Sequence, residues 1–400
     1  MTLLAGSMLD QEIRLDAVVA DGRLIAKNLA TSRASIVEHL VTQPVVNVPR
    51  LLSQLFPLCG MAHAAAGLQA IEAALQIQVS PMQRRFRELM LLAEHGAALG
   101  WRITMDWPLL LGEPADTRAC AEIRRAVASV STATNCRRWA QIGGVTLRLE
   151  RERLEIAVRE LARVLIDLFP EAADPALSWS KLDRALQGGH SIPARLVKTA
   201  RTGALTNYGR HDLPWLPSMS ADWFSAHLVA AGDFCRRPTL DGTPAEVGPL
   251  AARRHPFIVA AIADWGPTLA TRLLASALDA AVVAQRLRDA LGSLGDDQPV
   301  AADVTRTGRG TGVVETARGP LAYLVDVADG RVRMLRSVAP TEWNFHPDGP
   351  FIAALECSPR VSDPVFAARL LAASFDPCVP FAIALTDNLP APADAEIAHA

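Results

Sequence analysis

Apolar and polar positions alternate with a strand-like period in two places. Residues 12–28, EIRLDAVVADGRLIAKN, read as two short strands around Asp21-Gly22, and Asp-Gly between β-branched neighbours is a strong hairpin signal. Residues 321–338, LAYLVDVADGRVRMLRSV, repeat the design around Asp329-Gly330 with the same VADGR string. An isolated hairpin is marginal in water. The two hairpins are therefore expected to meet in one small sheet or to pack on the same core.

Between them the period is that of a helix. HAAAGLQAIEAALQIQ and PMQRRFRELMLLAEHGAALGWRITM are long Ala/Leu-rich segments, the second starting with Pro81 where a first-turn proline belongs. PADTRACAEIRRAVASV and ERERLEIAVRELARVLIDLF follow, the latter with a clear amphipathic pattern, and another helical block runs from about Pro244 to Leu294. RTGALTNYGRHDLPWLPSM is too rich in Gly and Pro for regular structure. GSLGDDQPVAADVTRTGRGTG reads as a flexible link, and LTDNLPAPADAEIAHA as a frayed tail. The expected fold class is α+β, a central helix bundle with β-hairpins from both termini. It forms one domain over 1–400, with an N-terminal β part at 1–58, a helical core at 59–300, a C-terminal β part at 311–385 and a tail at 386–400.

Composition narrows the function. Half of the 400 residues are apolar, enough for a substantial core, and 40 basic residues nearly balance 42 acidic ones. That balance argues against nucleic acid or an anionic membrane as the main partner. No run reaches the roughly 18 apolar residues of a membrane-spanning helix. The N-terminus lacks the basic region of a secretory signal, so a cytoplasmic protein with reduced thiols is expected.

The candidate chemistry lies in a few cysteines. Cys378 sits between Pro377 and Pro380, which forbid continued helix, so its thiol is placed on a stiff corner. Cys59, in LFPLCGMAHAAAG, falls at or beside a helix N-terminus, where unpaired N–H groups favour a thiolate. His63 lies one turn further on the same face. The bland readings are a capping cysteine and a half-buried imidazole. Each hairpin precedes one of these cysteines, so side-by-side hairpins would let Cys59 and Cys378 converge. Asp376 is a turn cap or a hydrogen-bond acceptor. Arg318 enters the second hairpin at a Gly-Pro turn and is expected to project from it. Glu342, His346 and Asp348 share a loop with the buried-looking Trp343 and Phe345. TGRGTG lacks the Lys-Ser/Thr of a phosphate loop, and GxSxG, HExxH and dinucleotide fingerprints are absent.

Five segments, LCGMAHA, AEVGPLA, ETARGPLAYLV, APTEWN and SFDPC, stand in an order and spacing that resemble the large subunits of nickel–iron hydrogenases. The resemblance covers most of the chain. Catalytic members of that family carry a cysteine pair near each end, and the four thiolates hold nickel while two of them bridge to an iron bearing cyanide and carbon monoxide. Here the pattern is half complete. Cys59 falls on the second cysteine of the first motif, with Phe56 at the first. Cys378 falls on the first cysteine of the last motif, with Phe381 at the second and Ala384 at the closing histidine.

The resemblance implies Cys59 and Cys378 as metal ligands, Arg318 over the diatomic ligands, His63 beside the thiolates and Asp376 near the cyanides. A proton-transfer glutamate of the family falls loosely near Asp10. Nickel needs soft thiolate donors, so losing two of four argues against nickel and against catalysis. An iron already carrying strong diatomic ligands needs less from the protein. The chain resembles accessory proteins that are degenerate copies of the large subunit. That implies a scaffold holding iron with cyanide and carbon monoxide as transient cargo. The implied partners are a small hydrogenase-maturation chaperone, iron-delivering maturation proteins and the apo large subunit. The alternatives are a divergent catalytic subunit and a metal-free mimic of the large subunit.

Overall fold

The computed structural model describes residues 12–31, 36–134, 139–174, 176–230 and 233–386. Asp10, Cys136 and the tail beyond residue 386 lie outside the described residues.

Both predicted hairpins form. Strand β1 (Ile13–Ala20) pairs antiparallel with β2 (Arg23–Thr31), and the turn residues Asp21 and Gly22 take φ of 50° and 68°. The second hairpin is β4 (Gly319–Ala328) with β5 (Arg331–Val338), turning at Asp329 and Gly330 with φ of 53° and 67°. Left-handed conformation at both central residues is the type I′ turn that Asp-Gly favours.

The hairpins do not share a sheet. The first sheet has the order β2-β1-β6, where β6 (Phe381–Leu385) runs parallel to β1 and pairs Phe381 with Ile13. The second has the order β3-β4-β5, where β3 is Gly308–Thr316. Nor do they share a core cluster. Ile13, Leu15 and Leu24 belong to one, and Leu321, Val325, Val332 and Leu335 to another. The first and last described strands, β1 and β6, do pair, and β6 comes after Cys378.

Strand β3 corrects the flexible-link reading of TGRGTG. Gly308, Gly310 and Gly312 alternate, so all three face one side of the strand. A Cβ on any of them would fall far inside contact distance of a carbonyl oxygen on the helix Gly60–Ala74: Ala74, Ala70 and Ala66 respectively. A strand repeat of two thus meets a helix repeat of four across a seam that has room only for hydrogen. The glycines allow the helix that starts beside Cys59 to lie directly on the sheet.

The helical part is organised by Leu269–Gly292. Its first half, from Leu269 to Leu278, packs into the cluster that holds β1, and its second half, from Ala280 to Ala290, into the one that holds β4 and β5. Helices Pro81–Trp101 and Arg151–Asp167 pack against this long helix, and Thr117–Ala133 packs on those two. Arg151–Asp167 follows the expected stripe, burying Leu154, Val158, Leu161 and Leu165. Pro81 is at the first turn, and Ser80 caps it by accepting from the Gln83 N–H. Between β5 and β6 lie three further helices, Pro340–Asn344, Pro350–Glu356 and Pro364–Phe375. Among the described residues no helix is long and apolar enough to cross a membrane.

Candidate metal centre

Cys59 is the N-cap residue of the helix Gly60–Ala74, as its spacing predicts, and its carbonyl accepts the first helical hydrogen bond from the His63 N–H at 3.0 Å. Its side chain makes no cap hydrogen bond. Glu94, reaching over from the helix Pro81–Trp101, closes the turn instead. Its two carboxylate oxygens accept from the N–H groups of Met61 at 2.6 Å and Ala62 at 2.9 Å. Burial pushes the Glu94 carboxyl up to about 7, against the pull of these two bonds and of Arg318.

His63 is 2 % exposed. One ring nitrogen, Nδ1, lies 2.6 Å from the Tyr323 hydroxyl, and the ring stacks flat on Phe56, with centroids 3.5 Å apart and planes 7° off parallel. The aromatic ring at a position where the resemblance puts a thiolate therefore fixes the imidazole.

Arg318 lies in the tight turn joining β3 to β4. It leaves that turn, as expected, but is only 8 % exposed. Its Nε donates to the Asp376 carbonyl at 2.8 Å and pairs with the Asp376 carboxylate at 3.1 Å. Burial alone lowers an arginine pKa. Here Asp376, Cys378, Cys59 and Glu94 outweigh burial and raise it. One guanidinium thus lies within the electrostatic reach of both cysteines.

Asp376 ends the helix Pro364–Phe375 in the left-handed region, with φ of 51°. The chain then turns through Pro377 into the irregular corner foreseen around Cys378. The Cys378 sulfur lies 3.3 Å from the Thr341 hydroxyl. Both Cys59 and Cys378 are partly exposed. Phe381 packs against Phe345 and Phe351 in the core beneath β6.

A third segment closes the far side. Glu246, in AEVGPLA, holds Arg272 of the long helix through two bonds of 2.7 and 2.9 Å and lies 2.8 Å from His211. Burial raises its pKa, but Arg272 and His211 prevail and hold it down to about 2. This anchors the loop through Gly248, whose backbone passes beside Arg318 and Gly319. Gly248, Pro249, Ser276, Arg318, Ser374 and Asp376 line a small cavity there.

Glu342, His346 and Asp348 make local hydrogen bonds. Glu342 accepts from the Ala339 N–H at the start of a short helix, and His346 Nδ1 accepts from the Asp348 N–H. Trp343 and Phe345 are buried as expected.

Four residues around the centre were not singled out in the sequence: Glu94, Arg102, Tyr323 and Thr341. Tyr323 and Thr341 lie inside the segments ETARGPLAYLV and APTEWN. For Glu94 the available signal was an acid directly after the apolar run LMLLA. Among the described residues no three His, Cys, Asp or Glu side chains group as a metal site. A metal ion held by this cysteine pair would have to bring its remaining ligands with it.

The wider comparisons agree with this architecture. The family model for nickel-dependent hydrogenases matches residues 226–384. The fold matches that of the nickel–iron–selenium hydrogenase from Desulfomicrobium baculatum with a TM-score of 0.66 at 16 % identity, covering 90 % of this chain and 95 % of the other. The hydrogenase expression/formation protein HoxV of Cupriavidus necator is 29 % identical over 413 residues, covering 93 % of this chain and 98 % of HoxV. HupK of Rhizobium leguminosarum bv. viciae, also a hydrogenase expression/formation protein, is 30 % identical over 344 residues, covering 84 % and 85 %. The chain belongs to the HupK/HoxV family of hydrogenase expression/formation proteins, homologues of the nickel–iron hydrogenase large subunit.

Proposed function

We propose that this protein is a non-catalytic scaffold of hydrogenase maturation, holding iron with its cyanide and carbon monoxide ligands between Cys59 and Cys378 before transfer to the large subunit. The observation that carries the reading is the position of Arg318, a buried guanidinium held on Asp376, two residues before Cys378. A cation beside two thiols favours their thiolates, and thiolates are the form that binds metal. The same cation compensates the negative charge that cyanide ligands add. Asp376 and the turn from β3 fix the guanidinium, so it needs no reorganisation when cargo arrives.

The donor set suits iron better than nickel. A nickel site of this family type asks for four soft sulfurs, and Phe56 and Phe381 offer none. Iron that already carries strong diatomic ligands can complete its shell with two. Two protein ligands also hold more weakly than four, which suits a carrier that must let go. The partners in this reading are the small maturation chaperone, the iron-delivering maturation proteins and the apo large subunit.

Native mass spectrometry tests the reading on protein purified anaerobically from cells with intact maturation machinery. The expected spectrum shows a mass increment of one iron with its diatomic ligands, absent from Cys59→Ala and Cys378→Ala. Unmodified mass beside normal binding to maturation partners would favour a metal-free mimic. Hydrogen uptake by the purified protein would favour an enzyme.

A further inference from the structure

Arg102 comes directly after the helix Pro81–Trp101, in a π-helical turn spanning Arg102–Asp106. Such turns are rare and recur at functional sites. Its guanidinium reaches away from its own element to the corner that carries Cys378. Nη1 donates to Asp106 at 2.8 Å, and Nη2 donates to the Pro377 carbonyl at 3.1 Å and pairs with the Asp376 carboxylate. The Arg102 side chain is only 16 % exposed, and its buried Nε has no hydrogen-bond partner among the described residues.

These contacts matter because the Cys378 corner has little support of its own. Asp376 is a non-glycine residue at φ 51°, a disfavoured conformation that persists when its surroundings hold it. Pro377 and Pro380 cannot donate backbone hydrogen bonds. The corner is held by a carboxylate between two guanidinium groups, Arg318 from the strand turn and Arg102 from the helical core. Arg102 alone also holds the carbonyl that immediately precedes Cys378. A planar fork can bridge a carboxylate and a carbonyl together, whereas an ammonium is a single point charge.

The geometry points to Arg102 as a positioning residue that presents the Cys378 sulfur to the metal. This rests on the iron-holding reading, which it deepens by naming what sets the second sulfur in place.

The test uses the full chain and Co(II), whose thiolate charge-transfer absorption reports ligation without the maturation machinery. Arg102→Ala is expected to weaken Co(II) binding at least tenfold and to lower the charge-transfer intensity per bound metal. Arg102→Lys, keeping the charge but not the fork, is expected to recover part of each. A readout without metal accompanies it. Deuterium uptake by the peptide covering residues 372–385 should rise in Arg102→Ala, while the melting temperature and uptake in the helix Leu269–Gly292 stay unchanged. Unaltered uptake at 372–385 with unaltered Co(II) affinity would overturn the assignment. Wild-type protein purified with the maturation machinery that carries no iron with diatomic ligands, with the exchange change still present, would overturn the iron-holding reading and leave Arg102 as the support of the corner.

Discussion

Glu94 shows why the centre is only partly legible in the sequence. Cys59, His63, Arg318, Asp376 and Cys378 stand in strings whose local chemistry is visible: a cysteine before a helix, an Arg-Gly-Pro turn, a cysteine between prolines. Glu94 acts 32 and 33 residues away, on two N–H groups whose need for an acceptor appears only once the helix Gly60–Ala74 is placed against Pro81–Trp101. Arg102 is further still from Pro377, and its role rests on the chain ends being brought together. Glu94 carries a prediction of its own. Its pKa rises from an ordinary 4.5 to about 7 in the folded protein. Between those values the folded state binds more protons than the unfolded one, so this residue makes stability fall as pH rises, with no further change above about 7. Urea midpoints measured between about pH 4 and pH 8 should show that decline in the wild type and a shallower one in Glu94→Gln. Equal slopes would count against the buried carboxyl.

At the scale of elements, both hairpins were readable because Asp-Gly demands left-handed backbone and the flanking alternation fixes the strands. The glycine run of β3 was misread for a physical reason. Gly-x-Gly-x-Gly has no side chains to show a face, and its meaning lies in the alanine-rich helix Gly60–Ala74 pressed against it. Ala66, Ala70 and Ala74 oppose the three glycines at successive helical turns. Gly310→Ala should therefore force helix and strand apart, with a cost of about 1–3 kcal/mol for overpacking. Chemical denaturation measures it. Because Cys59 caps that helix, the same variant should retain less iron. A Gly310→Ala protein of wild-type stability would mean that the seam has slack.

At the scale of the molecule, the sequence announced that the two ends meet but not how. The hairpins were expected to join, yet each sits on its own core cluster, and it is β6 that pairs with β1. The long helix Leu269–Gly292 bridges the two clusters and, through Arg272 and Glu246, ties them to the loop beside Arg318. Hydrophobic pattern shows which residues are buried but not which sheet receives them, since β1 and β4 have similar apolar content. The proposed centre would thus draw on both clusters, with Cys59 packed against the one that holds β4 and β5, and Cys378 next to Val379, which packs against the one that holds β1.

Infrared spectroscopy of anaerobically purified protein from cells with intact maturation machinery tests that centre most directly. Bands in the cyanide and carbon monoxide region are predicted for the wild type, and they should disappear in Cys59→Ala and in Cys378→Ala alike. A band-free wild-type spectrum from protein that still binds its maturation partners, or bands that survive both substitutions, would contradict it.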